Sequence, residues 1–218
     1  MKFLIVDDHA LIRDALHSVL LRLRPGALIR QATDGASALH ALDAEPDVDL
    51  LLLDLHLPDQ DGFQVLTTIA QRHPSVGVVM LSGERDQDTI RRALELGAQG
   101  FIPKSESTDV LSSALALVLA GGVYVPPAAL QGLPAKASPA APPQSRTPQS
   151  LGLTDRQLDV LALLMEGKNN KLICRALDLA EPTVKNHVSA ILKALDVTSR
   201  TEAVLEVTRL GWVLPPVR

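Results

Sequence analysis

The sequence predicts a doubly wound, five-stranded parallel α/β domain followed by a small all-α domain of four helices. Three observations predict this. Short apolar runs alternate with helical patterns across residues 1–125, as βα units covered on both faces require. Residues 126–150 hold seven prolines among Ala, Ser and Gln, with almost no large apolar residue, and so cannot bury a core. Residues 151–218 read as helical throughout.

In chain order, the first strand is Phe3–Val6, which stops at Asp7-Asp8. Ile12, Leu16, Val19, Leu20 and Leu23 then form a stripe of 3.6-residue period, the first helix. Strands Ala27–Arg30, Leu50–Leu53, Val76–Leu81 and Gly100–Ile102 alternate with helices near 35–44, 62–71, 87–96 and 106–120. The longest uncharged stretch, Val110 to Ala135, has the length of a bilayer span, but Gly121-Gly122, Pro126-Pro127 and Pro134 break it. No membrane association is expected. The proline-rich residues 126–150 are a linker, reaching about 78 Å if wholly polyproline II, so the flanking parts can move independently. In the last part Thr154-Asp155-Arg156-Gln157 starts a helix with a capping box, Leu158, Leu161, Ala162 and Met165 give its apolar face, and Gly167 stops it. Helices near 169–177, 181–194 and 199–209 follow, the last opened by a second box, Ser199 to Glu202. The expected domains are therefore 1–125 and 151–218, with the linker between them.

The composition, 46% hydrophobic and 21% charged with a net charge of −4, excludes a disordered chain, a collagen and a coiled coil. Cys174 is the only cysteine, so neither an intramolecular disulfide nor a cysteine-based zinc cluster can form, which suits a reducing, cytoplasmic setting. Cys174 itself is expected as a small buried apolar residue. Charge is uneven: residues 1–125 carry 17 acids against 10 bases, and residues 151–218 carry eight against nine. An acidic domain is joined to a nearly neutral one.

Polar residues gather at the C-terminal ends of the strands: Asp7 and Asp8 after the first, Asp54 after the third, Ser82 after the fourth and Lys104 after the fifth. That edge of an open parallel sheet is where ligands bind. Three convergent carboxylates repel one another unless a cation lies among them, and an all-oxygen donor set suits Mg²⁺, or Mn²⁺, rather than zinc. With charge so neutralised, a phosphoryl group can approach Asp54, whose carboxylate acts as nucleophile while Ser82 and Lys104 bind phosphoryl oxygens. Singly, each residue has a plainer explanation. Asp7 and Asp8 suit the N-terminus of the helix that begins near Ala10, and Asp54 suits a solvated loop. His9 is expected to start that helix rather than bind metal.

In the second part, Leu172–Leu177, a turn around Asp178–Ala180 and Glu181–Leu195 fit helix-turn-helix geometry. On the later helix Val184, Val188, Ile191 and Leu195 pack inward, leaving Lys185, Asn186 and Ser189 on or near a polar face. Lys185 suits guanine or phosphate and Asn186 suits adenine, while Lys171, Arg175, His187, Lys193 and Arg200 suit phosphates. Ordinary solvated faces are the competing explanation, since this part is close to neutral.

Ile5-Val6-Asp7-Asp8-His9, Leu53-Asp54-Leu55-His56-Leu57-Pro58 with Asp61-Gly62, Met80-Leu81-Ser82-Gly83 and Gly97–Lys104 together resemble the receiver domain of bacterial two-component response regulators, over residues 1–122. The resemblance implies a flavodoxin-like receiver in which Asp54 accepts phosphate from a sensor histidine kinase. It implies Mg²⁺ on Asp8, Asp54 and the backbone carbonyl of His56, with Asp7 acting through water. Ser82 and Phe101 match the family's switch pair, whose movement alters the face built from the fourth helix, fifth strand and fifth helix. His56 and Glu84 occupy positions that tune acyl-phosphate lifetime. Pro103 before Lys104 resembles a cis bond of the family.

Leu153–Gln157, Val160-Leu161, Glu166–Lys171, Thr183–Ser189 and Arg200-Thr201-Glu202-Ala203 resemble the LuxR-type helix-turn-helix over nearly all of 151–210. Joined to a receiver, this makes the chain similar to the NarL/FixJ class. Two departures stand out: Leu172 replaces a usual acid, and Ala180 stands where a Ser or Thr caps the recognition helix. In this class the last helix makes the dimer contact on DNA, which directs attention to Glu202, Ala203, Val204, Glu206 and Val207.

The expected function is a phosphorylation-controlled transcription regulator: phosphoryl transfer to Asp54 promotes a homodimer that binds a double-stranded operator, with RNA polymerase as a further partner. It is no enzyme beyond its own phosphoryl transfer and dephosphorylation. The alternative is a DNA-binding regulator independent of phosphate, its receiver pocket vestigial. An aspartyl phosphatase lacks a cap domain or substrate pocket here, and a small-molecule-sensing LuxR-type regulator needs an apolar ligand domain instead of an acidic pocket.

Overall fold

The computed structural model describes residues 1–45, 47–130, 148, 150–168, 170–197, 200–212 and 214. The chain divides into two compact units, Met1–Gln131 and Gly132–Arg218. Most of the expected linker, and the residues Asn169 and Ser199, lie outside the described residues.

The first unit runs β1 (Lys2–Val6), α1 (Ala10–Leu23), β2 (Leu28–Ala32), α2 (Gly35–Ala44), β3 (Leu50–Asp54), α3 (Gly62–Arg72), β4 (Gly77–Ser82), α4 (Gln87–Glu95), β5 (Gly100–Pro103) and α5 (Thr108–Leu119), ending in a 3₁₀ turn at Pro127–Leu130. Every strand pairing is parallel, in the order β2-β1-β3-β4-β5. Strand periodicity explains the two cores. Leu4, Val6, Leu51, Leu53, Met80 and Phe101 face α2, α3 and α4, while Phe3, Ile5, Leu50, Leu52, Val79 and Ile102 face α1 and α5. β3 and β4 are buried along their whole length, whereas the edge strand β2 buries only Ala32.

The strands shift slightly from the sequence expectation. β2 lies at Leu28–Ala32 rather than Ala27–Arg30 because its register follows β1, with Lys2 opposite Leu28 and Val6 opposite Ala32. The fifth helix starts at Thr108 rather than 106, since Ser107 takes the N-cap and accepts from the Val110 N–H. Gly62 opens α3 where a Cβ would stand 2.5 Å from the Asp54 carbonyl, so only glycine lets the helix start this close to β3. The expected cis bond before Pro103 is a correction: no described peptide bond is cis. Pro103 sits in register opposite Ser82 at the end of β5, its amide in the commoner trans form.

The second unit packs α6 (Asp155–Met165), α7 (Asn170–Leu177), α8 (Glu181–Leu195) and α9 (Arg200–Arg209) around Leu158, Leu161, Leu164, Ile173, Val184, Val188, Ile191 and Leu195. The Thr154–Gln157 capping box forms with both reciprocal bonds. Asp178 takes the left-handed conformation in the tight α7–α8 turn, at φ 51°. Ala180 stands at the α8 N-cap without a side-chain bond, with Pro182 in the first turn. Cys174 is half-buried against this core rather than wholly inside it. No described helix is long and apolar enough to cross a membrane, and α5 ends at Leu119, before the glycine pair.

Candidate functional site

β1, β3, β4 and β5 end together, so the four strand ends bring Asp7, Asp54, Ser82 and Lys104 to one edge of the sheet. Asp7 and Ser82 are fully buried and Asp54 is 1% exposed. The Lys104 ammonium lies 2.8 Å from Asp7 Oδ2 and 2.7 Å from Asp54 Oδ2, bridging the two carboxylates. Burial raises the Asp54 pKa, the Lys104 bond and charge oppose it, and the Asp7 charge adds to the rise. Burial works against the Lys104 charge, but the bonds to Asp54 and Asp7 outweigh it and lift its pKa.

Asp54 Oδ1 is buried without a hydrogen bond of ordinary geometry among the described residues. Asp8 is exposed beside it, and carboxylate oxygens of Asp7, Asp8 and Asp54 with a ring nitrogen of His9 all lie within 4.8 Å of one another. Three carboxylates, one with an unsatisfied buried oxygen, fit a hard divalent cation. His9 is the α1 N-cap residue, as expected, and its Nδ1 lies 2.6 Å from Asp8 Oδ1. Neither Asp7 nor Asp8 caps α1: that helix start has no side-chain cap bond, and Asp7 Oδ1 instead accepts from the His9 N–H at 2.9 Å. The plain capping explanation of the acid pair therefore fails.

Around the rim, Ser82 Oγ accepts from the Glu84 N–H at 3.0 Å, and Phe101 is fully buried beneath. His56 Nε2 meets Glu84 Oε1 at 2.9 Å, and Thr89 Oγ1 donates to Glu84 Oε2 at 3.1 Å. Two rim contacts escaped sequence reasoning. Arg13 donates to the Asp7 carbonyl at 2.7 Å, and Arg85 Nε donates to Ser105 Oγ at 2.7 Å. Nothing in sequence spacing marks such pairs.

In the second unit the expected DNA-facing residues divide. Asn186 and Lys193 are exposed on α8, while His187 and Ser189 are half-buried. Lys185 is folded along α8 toward Glu181, 3.4 Å away, and is only 12% exposed. On α7 Arg175 is exposed and Lys171 half-buried. Arg200 bonds the buried Asn170 side chain, tying α9 to α7. On α9, Ala203 and Val207 belong to the unit's own core, which removes them from an outward surface, whereas Leu205, which sequence reasoning passed over, is 64% exposed.

Family models match both units: "response regulator receiver domain" over residues 3–116 and "bacterial regulatory proteins, luxR family" over residues 151–207. The chain is 39% identical to the glycerol metabolism activator of Pseudomonas putida over 94% of this chain and 93% of that one. It is 30% identical to the nitrate/nitrite response regulator protein NarL of Escherichia coli K12, over 92% and 91% of the two chains. Among solved structures it resembles a LuxR-family two-component response regulator from Aurantimonas, with TM-score 0.55 and 26% identity over 60% of this chain and 92% of that one. A LuxR-family DNA-binding response regulator from Silicibacter pomeroyi gives TM-score 0.52 and 38% identity over 58% and 98%.

Proposed function

The chain belongs to the two-component response regulators that join a receiver to a LuxR-type DNA-binding domain, and from that premise we propose that Asp54 is its phosphoacceptor and that phosphorylation governs dimerisation and operator binding. Membership itself implies a histidine kinase partner and DNA binding. One observation carries the finer reading: a buried carboxylate with an unsatisfied oxygen lies against a lysine shared with a second buried carboxylate.

Asp8, Asp54, the His56 carbonyl and, through water, Asp7 would hold Mg²⁺ or Mn²⁺, which when bound neutralises charge on the transferring group. An Asp54 oxygen attacks the phosphorus of the kinase phosphohistidine; the P–N bond breaks as the new P–O bond forms, and the imidazole leaves with its electron pair. Lys104 turns from the two carboxylates toward a phosphoryl oxygen, and the Ser82 hydroxyl, now accepting from Glu84, donates to another. The His56–Glu84 pair stands over this rim and sets how readily water reaches the acyl phosphate.

Asn186 is the proposed base-reading residue, with Lys185 and Ser189 on or near the same face, and Lys171, Arg175, His187, Lys193 and Arg200 are the proposed phosphate contacts. A single, nearly neutral domain binds DNA weakly, so a dimer on two half-sites is required, with RNA polymerase as a further partner. Binding of the full chain to sheared duplex DNA, with sedimentation on the same samples, tests this. A small phosphodonor with Mg²⁺ is expected to tighten binding and produce dimer in wild type and to do neither in Asp54→Asn. Equal binding in all samples favours the phosphate-independent alternative.

A further inference from the structure

The open edge of β5 carries a piece of chain that joins no regular strand. Beyond α5, Tyr124 pairs in parallel with Gly100 as an isolated bridge. The Phe101 N–H donates to the Tyr124 carbonyl at 3.1 Å, and the Tyr124 N–H donates to the Gln99 carbonyl at 3.2 Å. Gly100 leaves the space for it, since a Cβ there would stand 3.2 Å from that carbonyl. Pro126 is buried, and Val125 and Ala129 pack against the core that holds Phe101, Ile90 and Ala93. The 3₁₀ turn at Pro127–Leu130 lies against α4.

The same strand reaches the pocket. Lys104 follows directly on Pro103, its N–H donates to the Ser82 carbonyl at 2.6 Å, and its ammonium bridges Asp7 and Asp54. β5 is thus held by the pocket at one end and by Tyr124 along its edge.

We propose that Val123–Leu130 is a strap, fastened to β5 and α4 while Asp54 is unmodified and released when Asp54 carries a phosphoryl group. The inference rests on Asp54 being the phosphoacceptor. A dianionic group draws Lys104 out of its shared position, and the end of β5 moves with it. The strap grips two elements at once, β5 through backbone bonds and α4 through packed side chains, so a shift of one against the other cannot be followed by both sets of contacts. Two edge hydrogen bonds and few packed side chains, of which Pro126 is buried and Tyr124, Val125 and Ala129 part-buried, also place the strap among the segments that open most easily. Release adds the strap's eight residues to the segment that joins the two units, widening the reach of the DNA-binding unit.

Hydrogen exchange of the full chain, with Mg²⁺ and beryllofluoride as phosphoryl mimic, tests the strap directly. Phe101 and Tyr124 amides are expected to exchange about five-fold faster or more, with β3 amides unchanged and no effect in Asp54→Asn. Unchanged protection in a chain that binds beryllofluoride overturns the strap and leaves the phosphoacceptor standing; no binding at all overturns both. Coupling is reciprocal, so Val125→Asp, which detaches the strap, should bind beryllofluoride about five-fold tighter. Tyr124→Pro, which removes the bond to Gln99, provides the same test should Val125→Asp fail to fold. Wild-type affinity in a folded, strap-released variant overturns the proposal.

Discussion

Asp54 is buried beside Asp7, and burial lifts its pKa above the ordinary carboxylate value despite the bond and charge of Lys104. A folded-state pKa above the unfolded one means that the ionised carboxylate weighs against folding, fully so at pH above the folded value. Asp54→Asn is therefore expected to raise the thermal midpoint of the metal-free chain at pH 7. The gain should fade as pH falls through the folded pKa and wild-type Asp54 takes up a proton. A lower midpoint for the variant at pH 7 contradicts this electrostatic picture. Lys104→Met leaves two buried anions facing each other, and a partner lost from a buried ion pair costs about 3–5 kcal/mol. Denaturant titration without metal should show that loss, and added Mg²⁺ should recover part of it. These two residues were legible in the sequence as polar groups ending apolar strands. The rim bonds of Arg13 to the Asp7 carbonyl and of Arg85 to Ser105 were not, because such side-chain bonds have no period to read.

The helices and strands followed the sequence wherever a period was long enough to see. The α1 stripe, the all-buried Leu50–Leu53 run and the Thr154 capping box all fall where the pattern places them. Boundaries moved where a neighbour decides them: β2 is set by its register with β1, and α5 by the Ser107 cap. The Tyr124 bridge was invisible for a related reason, since one paired residue makes no alternation. Ala180 at the α8 N-cap is an exposed position whose side chain makes no cap bond. Ala180→Ser supplies an acceptor to the first turn and should stabilise the second unit by about 1 kcal/mol, measured by chemical denaturation. No gain would mean that Pro182 already satisfies that helix start.

Across the molecule, charge is uneven: 17 acids against 10 bases in residues 1–125 surround the Asp7–Asp54–Lys104 pocket, and eight against nine in residues 151–218 give the DNA-binding unit little net positive charge, which is why pairing on DNA is proposed. The contact types assigned to α8 have different signatures. Lys193→Ala should weaken binding uniformly across sequences and reduce the slope of log affinity against log salt by about 1, whereas Asn186→Ala should cost about 1–3 kcal/mol and relax preference at one base pair. Salt titrations on matched and single-mismatch duplexes separate the two, and indistinguishable losses contradict the assignment. The proposed control of DNA binding depends on chemistry at one carboxylate. Intact mass of the full chain with Mg²⁺ and a small phosphodonor, followed by peptide mapping, examines that carboxylate directly. A single phosphoryl adduct on the peptide containing Asp54, absent from Asp54→Asn, is the predicted result; an adduct elsewhere, or one that persists in Asp54→Asn, contradicts it.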